Sequence, residues 1–355
     1  MNKLIENSIL GAAAAILIAL VTISASAQTV RTEPPARPDV RISPPAPKAP
    51  ADRLAMPPRY PEPARGEHDS YERSISVDSG VNLLLGCILE GTVSVNGWNR
   101  NEVRVFVGEG NKFNFRTLQK SSKTGSPVWI KLVGDDSKSK YGPASECISG
   151  SEIEIDAPVN STITIKGREI TTIIDSVKKV DVSSIGGNIS LRNISSGVSA
   201  SAGQGDITVD SSQGAMNLST TTGNILVFEA GPSEIGDGFK ANTNSGTIAL
   251  QSLEYRQMTV DSVTGSVAYT GEIMSSGSYN LRTSKGSIRL TIPEKSSFQM
   301  WATYGFGNFT TEIPVDIATE NISPGPIKSI RGKAGSGDAT LKLTTNNGSI
   351  GIKKM

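Results

Sequence analysis

The chain has 355 residues, with 35 basic and 34 acidic side chains and a formal net charge of +1. So balanced a charge gives no electrostatic basis for binding nucleic acid or an anionic membrane. Glycine (36) and proline (19) are abundant while aromatic residues make up 5%, a composition that favours short strands and turns. The single histidine, His68, lies in a proline-rich stretch, so the chain lacks the parts of a Ser/His/Asp triad or a histidine-ligated zinc site.

Residues 1–27 have the three parts of a signal peptide. Lys3 supplies a basic start, residues 9–23 form an apolar run, and Ala25-Ser26-Ala27 is an A-x-A cleavage site. The alternative, an uncleaved membrane anchor, conflicts with a run shorter than the ~20 apolar residues of a spanning helix. We therefore expect cleavage after Ala27 and a mature protein without a transmembrane segment, located in the periplasm, the cell envelope or the extracellular space.

Residues 28–69 are crowded with proline from Pro34 to Pro63, which predicts a disordered, extended linker. Its scattered basic residues either rest on an anionic surface such as a cell wall or only keep the linker solvated. The next segment, residues 70–175, is predicted to be an N-terminal β-strand region. Alternating apolar and polar residues indicate half-buried strands there, most clearly at Ser74–Val77, Thr92–Trp98 and Glu102–Val107.

Residues 176–355 are predicted to form a β-repeat domain, because a Gly-x-apolar-x-apolar motif recurs in steps of 18, 18, 23, 19 and 21 residues. The motif begins at Gly187, Gly205, Gly223, Gly246, Gly265 and Gly286. A second ladder of apolar pairs runs half a period out of phase, and its long step covers the same insertion, residues 228–238. It begins at Val198, Met216, Phe239, Met258, Tyr279 and Phe298. Two ladders that share one insertion indicate rungs of two strands each.

The predicted fold class is therefore all-β: a β-solenoid, or single-stranded β-helix-like stack, of ~20-residue rungs with a β-rich N-terminal part. The glycine that begins each Gly-x-apolar-x-apolar motif suits a tight turn with positive φ rather than a ligand-binding loop. The last two motifs start at Gly337 and Gly348, only 11 residues apart. This short step predicts a hairpin that caps the C-terminal end of the stack.

Several stretches, in their order along the chain, resemble a known family. They are Gly91–Trp98 with Asn101–Val105, Glu152–Pro158, the Gly-x-Ile rungs and Leu341–Ile350. Together they resemble bacterial β-strand-repeat proteins of unknown function that are labelled adhesins. The resemblance covers about residues 75–353 and implies an all-β repeat fold in exported or envelope proteins. It implies no catalytic motif, cofactor or agreed ligand, and fold alone does not fix function.

Cys87 and Cys147 are the only cysteines of the chain. In an oxidising compartment an even count favours a disulfide bond, and the alternative is two separate buried thiols. Aromatic residues concentrate near the C-terminus, where Trp301, Tyr304 and Phe306 are candidate ligand contacts that would stack on sugar rings. The alternative places these aromatics in the end of the solenoid core.

No catalytic, cofactor-binding or metal-binding residues are predicted. Four acids near turns, Asp206, Asp210, Asp237 and Asp338, match no calcium-binding repeat or loop. The sequence thus favours an exported, non-catalytic envelope protein, either an adhesin or a surface or structural binding module whose partner is an envelope or extracellular glycan or protein. Two alternatives stay open: a β-helical polysaccharide lyase or hydrolase, and a periplasmic envelope-stress scaffold.

Overall fold

The structure, a computed structural model, describes residues 70–135, 146–321 and 327–355. The N-terminal strands are β1 (Tyr71–Ser76), β2 (Asn82–Trp98), β3 (Glu102–Gly108), β4 (Lys112–Lys120), β5 (Pro127–Asp135), β6 (Glu152–Pro158) and β7 (Thr162–Asp175). Those of the repeats are β8 (Lys179–Gly186), β9 (Ile189–Arg192), β10 (Val198–Gln204), β11 (Ile207–Gln213), β12 (Met216–Thr222), β13 (Ile225–Gly231), β14 (Phe239–Ser245), β15 (Ile248–Leu253), β16 (Gln257–Thr264), β17 (Val267–Thr270), β18 (Ser278–Lys285) and β19 (Ile288–Ile292). The C-terminal strands are β20 (Phe298–Phe306), β21 (Phe309–Thr311), β22 (Asp316–Asn321), β23 (Lys328–Ala334), β24 (Ala339–Asn347) and β25 (Ile350–Lys354).

All regular elements in the described residues are strands, which confirms the predicted all-β class. None of the described segments is a helix of the length and hydrophobicity needed to cross a membrane. The predicted signal peptide and the proline-rich linker lie outside the described residues. The predicted boundary between the N-terminal β-strand region and the β-repeat domain lies at residues 175 and 176. Strand β7 pairs with both β8 and β9, so the sheet is continuous across this boundary.

The strands stack as the rungs of a β-solenoid, as predicted. In a typical rung, a glycine turn joins a first strand such as β10 to a second strand such as β11, and each pairs in parallel with its counterpart in the next rung. Eleven rungs can be followed in the described residues, in the spatial order β5/β6, β2, β7, β8/β9, β10/β11, β12/β13, β14/β15, β16/β17, β18/β19, β24/β25 and β20/β21. The long strands β2 and β7 each supply both halves of one rung.

The register of the second strands confirms the first predicted ladder, because its apolar residues lie side by side in one column. That column is Ile189, Ile207, Ile225, Ile248, Val267 and Ile288. Each of these side chains is fully buried, and burial of a branched aliphatic side chain contributes about 1.5–3 kcal/mol. The predicted insertion, residues 228–238, is shorter in the structure: residues 228–231 belong to β13, and only residues 232–238 lie between the rungs.

The second predicted ladder is correct from Val198 to Tyr279 but wrong at its last member, Phe298. Tyr279 aligns with Leu341 in β24, and Leu341 aligns in turn with Met300 in β20. Phe298 pairs with Ala339 instead. The cause is that β24 lies between β18 and β20, so the spacing along the chain no longer follows the order of rungs in space.

The predicted C-terminal capping hairpin is wrong for the same reason. Strands β24 and β25 pair in parallel with β18 and β19 on one side and with β20 and β21 on the other. They therefore form a full rung, turned at Gly348, rather than an antiparallel hairpin. An antiparallel pair does flank the stack, but it is β23, which pairs with β20, and β22, which pairs with β23.

The N-terminal end of the stack is organised in a similar way. The first long strand, β2, lies inside the stack, between β7 on one side and β5 and β6 on the other. Antiparallel strands flank this outer rung, with β4 against β5, β3 against β6 and β1 against β3. The antiparallel strands at the two ends cover the outer edges of β5, β6 and β20, whereas the short strand β21 pairs only with β25.

A column of buried hydroxyls stabilises the glycine turn that joins the first and second strands of a rung. In each case a Ser or Thr Oγ of one rung donates to the carbonyl oxygen of the turn glycine of the preceding rung, as Thr243 donates to Gly223 at 3.0 Å and Thr345 to Gly286 at 2.8 Å. Thr220, Ser262 and Thr283 do the same. These side chains point into the apolar interior, so each hydrogen bond satisfies a carbonyl that would otherwise be costly to bury.

Candidate functional site

The first strands of the rungs present a flat polar surface to solvent. We call it the polar face and define it as the outward side chains of β8, β10, β12, β14, β16, β18, β24 and β20, which alternate with buried residues along every strand. One column of this face is Asp181, Ser199, Asn217, Lys240, Thr259, Asn280, Lys342 and Trp301. Its eight strands span about 34 Å at the ~4.8 Å spacing of paired strands.

The second column of the polar face is Ser183, Ser201, Ser219, Asn242, Asp261, Arg282, Thr344 and Thr303. Among these, Ser219 Oγ donates to Asn242 Oδ1 at 2.8 Å. The two columns therefore offer rows of hydroxyl and amide groups to solvent. Such groups can both donate and accept hydrogen bonds, which suits the hydroxyls of a glycan.

One end of the polar face is basic. Trp301 in β20 is partly exposed, and its cross-strand neighbours are Lys342 in β24 and Arg331 in β23, both exposed. Lys333 lies one outward position from Arg331. Among the described residues, no carboxylate lies within 4.0 Å of the charged atoms of Lys342 or Arg331. We call Trp301, Lys342, Arg331 and Lys333 the basic end of the polar face.

The structure does not bring the three predicted aromatic contacts together. Trp301 points outward, whereas Tyr304 lies at an inward position of the same strand and is 5% exposed. Phe306 is 73% exposed but stands at the end of β20, beside the turn at Gly307. Tyr304 belongs with Phe298, Met300 and Ala302, which fill the core of this outer rung. Burial also raises the pKa of the Tyr304 hydroxyl.

The second strands present a different surface. Their outward column is Ser190, Thr208, Leu226, Ala249, Ala268, Arg289 and Gly351. We call this surface the opposite face. Large apolar side chains are exposed on both faces: Ile173 (46%) and Phe228 (37%) lie near this column, and Ile185 (59%) and Val263 (51%) lie at the ends of β8 and β16 on the polar face. Since the side chains of the opposite face are smaller and less polar, it offers fewer hydrogen-bonding groups than the polar face.

The corner at which the second strands end repeats an unusual backbone conformation. Ser176, Asn193, Ser211, Glu229 and Ser252 all have positive φ, between 47° and 59°. Local hydrogen bonds hold some of them, as Asn193 Nδ2 donates to Asp175 Oδ1 at 2.9 Å. Because the conformation recurs from rung to rung, we interpret it as the geometry of the corner.

Two open grooves flank this corner near the insertion. One, of about 380 Å³, is lined by Ser211, Glu229, Ser252 and Glu254 among others, and the second, of about 440 Å³, lies against residues 232–237. In the described parts of the chain, no three His, Cys, Asp or Glu side chains are arranged to hold a metal ion. The oxygens of the acids near turns accept local hydrogen bonds instead. The backbone N–H of Glu234 and groups of Ser233 donate to Asp237 and lower the pKa of its carboxyl.

The structure contains a disulfide bond between Cys87 and Cys147, whose Cα atoms lie 4.6 Å apart. The bond fastens the middle of β2 to the segment before β6. Backbone hydrogen bonds hold the same contact, since Ile148 N donates to the Cys87 carbonyl at 2.9 Å and Leu89 N donates to the Ile148 carbonyl at 3.0 Å. The segment therefore bridges the two halves of the outer rung formed by β5 and β6.

The cations of the basic end were not predicted from the sequence. Arg331 and Lys333 belong to an antiparallel strand, and Lys342 belongs to a rung that is out of order, so their approach to Trp301 depends on non-local pairing. A signal was nevertheless present. In the stretch Ile330–Ala334, residues 331 and 333 are basic and alternate with small or apolar residues, which is typical of a half-buried strand with a charged outer face.

Residues 91–353 match the family model described as Toastrack DUF4097. No curated protein matches the chain. A solved structure, described as a "putative cell adhesion protein" from Clostridium sporogenes ATCC 15579, matches with 13% identity over 81% of this chain and 100% of that chain. The TM-score of 0.20 is too low to support an argument about fold or function. The family match confirms the resemblance to β-strand-repeat proteins and covers most of the chain, which therefore belongs to the Toastrack DUF4097 family.

Proposed function

We propose that this protein is an exported, non-catalytic binding module of the cell envelope, and that the polar face is its contact surface. The observation that carries the proposal is the flat array of hydroxyl, amide and charged side chains held in register over eight consecutive strands. A rigid surface of this kind can meet a long partner with many weak contacts without ordering a loop, so little conformational entropy is lost on binding.

Export is supported by the signal-peptide pattern of residues 1–27 and by the Cys87–Cys147 disulfide. Disulfide bonds persist in the periplasm and outside the cell and are rare in the cytosol. The proline-rich segment would then serve as a spacer between the solenoid and the cell surface. An exported position would place the polar face against envelope glycans or proteins.

A binding role is supported over hydrolysis by the spacing of acids on the polar face. Asp181 in β8 and Asp261 in β16 are four strand steps apart, about 19 Å, whereas the two carboxyl groups of a glycosidase lie about 5–10 Å apart. One observation favours the alternative of a polysaccharide-active enzyme. Glu229 and Glu254 both line the 380 Å³ groove at the corner.

The test is to isolate the exported chain and incubate it with peptidoglycan, other envelope polysaccharides and matrix proteins. Retention and released reducing ends are measured in the same samples. We expect retention on at least one of these materials with no product. Product that disappears in the Glu229→Gln variant would replace the binding proposal with the enzyme alternative, and no retention on any material would refute the binding role.

The location is tested separately, by cell fractionation and mass spectrometry of the N-terminus. We expect a mature chain that begins at Gln28, in the periplasmic, envelope or extracellular fraction, with Cys87 and Cys147 joined. A chain that keeps residues 1–27 in the cytoplasm would contradict export.

A further inference from the structure

We propose that the basic end of the polar face binds a uronate-containing polysaccharide, with Trp301 stacked on a sugar ring and Lys342 and Arg331 paired with its carboxylates. This inference rests on the proposed function and names its ligand class. Trp301 is the only tryptophan of the polar face, and its position between two exposed cations is the main observation.

The indole of Trp301 has no partner within the described residues. Trp98, by contrast, has partners for both its ring and its indole N–H. Arg100 lies over the Trp98 ring, 4.9 Å from its centroid, and Trp98 Nε1 donates to the Glu102 carbonyl at 2.8 Å. In the described residues, neither a cation over the ring nor an acceptor for the indole N–H is found at Trp301. An open indole face beside polar groups suits the apolar face of a sugar ring.

The charges around Trp301 determine which sugar fits. Lys342 and Arg331 flank it on adjacent strands and have no carboxylate partner among the described residues. The acids near the basic end are Asp316, which pairs across the strands with Lys333, and Glu320, which follows the strand partner of Arg331 on β22 and lies close enough to Tyr304 to raise its pKa. Neither forms an ion pair with Lys342 or Arg331, so the basic end keeps a net positive charge, which favours an anionic ligand.

A uronate fits this arrangement better than a phosphorylated sugar chain. In a uronic acid the carboxylate is attached to the pyranose ring itself, so a ring stacked on Trp301 carries its charge toward the next strand, ~4.8 Å away. The planar guanidinium of Arg331 can also pair with a carboxylate through two parallel hydrogen bonds. Asn280 and Thr303, at neighbouring outward positions, can bond the sugar hydroxyls.

The test measures affinity of the exported chain for poly(galacturonic acid), dextran and a phosphomannan by calorimetric titration at two salt concentrations. We expect poly(galacturonic acid) to bind most tightly. Trp301→Ala should weaken its binding by about tenfold or more. The double variant Lys342→Gln, Arg331→Gln should weaken it as well and should reduce its salt dependence.

Matched controls are Trp129→Ala, an exposed tryptophan at the other end of the stack, and Arg289→Gln, an exposed cation on the opposite face. Both should leave the affinity unchanged. Thermal unfolding of each variant verifies that the exposed substitutions leave the fold intact.

Equal binding of dextran, tighter binding of the phosphomannan, or equal losses in the control variants would overturn the assignment. Retention of the chain on other envelope material without affinity for poly(galacturonic acid) would refute the uronate site and leave the proposed function standing. Loss of retention on every material refutes the proposed function itself.

Discussion

At the scale of single residues, the turn glycines form a column in which no side chain fits. Gly246 has a φ of +154°, and a Cβ added to it would lie 1.9 Å from the carbonyl oxygen of Gly223 in the preceding rung. The same close approach recurs at Gly223 and Gly265. Glycine is therefore required for two reasons at these turns, the backbone conformation and the distance between stacked rungs.

The variant Gly246→Ala separates these two reasons when it is compared with Gly236→Ala. Gly236 also has a positive φ, +100°, but a Cβ there would meet nothing within 4 Å. We expect Gly246→Ala to lower the free energy of unfolding by about 1–3 kcal/mol more than Gly236→Ala, because only the first adds a steric clash. Urea unfolding measures both values. Equal losses would show that the rungs are not stacked as closely as described.

Buried tyrosines make the stability depend on alkaline pH. Tyr255 Oη donates to the Gly214 carbonyl at 2.7 Å, and burial raises the pKa of Tyr255 and of Tyr269 well above the ordinary value of about 10. The folded state thus holds these protons more tightly than the unfolded state does. Their contribution is fully present below pH ~10 and is lost as the pH rises above it.

We expect the Tyr255→Phe variant to lose less stability than the unmodified protein as the pH rises above 10. Between pH 10 and 11.5 the free energy of unfolding of the variant should fall less steeply, by a difference in slope that rises to about 1.4 kcal/mol per pH unit for the one group removed. Urea unfolding at a series of pH values measures the slope, and lysine titration affects both proteins alike. Parallel curves would mean that Tyr255 ionises as freely in the folded protein as in the unfolded chain.

At the scale of elements, the sequence predicts parallel rungs well and their order at the ends poorly. From Gly187 to Leu290 each rung pairs with the rung that follows it along the chain, so spacing along the sequence equals spacing in the stack. This fails where β24, which follows β20 in the chain, pairs with β18. The hydroxyl of Thr345 reaches Gly286 across 59 residues, a contact that no local pattern reveals.

The variant Leu341→Ala tests the position of this rung. Leu341 is fully buried between Tyr279 and Met300, so its truncation should cost about 2–5 kcal/mol. We expect faster amide hydrogen exchange in both β18 and β20, measured by mass spectrometry. Lys342→Ala, one residue on and exposed, should leave both strands protected. Faster exchange confined to β24 and β25 would favour the terminal hairpin that the short glycine spacing predicts.

The candidate site shows the same division between local and non-local information. The local concentration of aromatic residues placed Trp301 and Tyr304 among the candidate contacts, but alternation along β20 puts Tyr304 on the inward side, where it belongs to the core. The cations beside Trp301 come from strands on either side of β20. Their position beside Trp301 depends on pairing between distant segments. The composition and periodicity of a single segment do not reveal that pairing.

At the scale of the whole molecule, one continuous sheet joins all the described strands. The segments β2 and β24/β25 each lie between two other rungs, and antiparallel strands flank the outermost rungs. Apart from the short strand β21, the strands of both outermost rungs are therefore paired on two sides. The result is a rigid support on which the polar face keeps its rows of side chains in register, whereas a face built from loops would have to be ordered on binding.

The most direct test of the central claim, that the polar face is the contact surface, is hydroxyl-radical footprinting of the exported chain. Side-chain oxidation is measured by mass spectrometry with and without a bound envelope polysaccharide. We expect protection of Trp301 and of the exposed side chains near it, such as Lys342, while Ile173 and Phe228 on the opposite face stay as reactive as in the free chain. Protection of Ile173 and Phe228 with no change at Trp301 would contradict the account and assign binding to the opposite face.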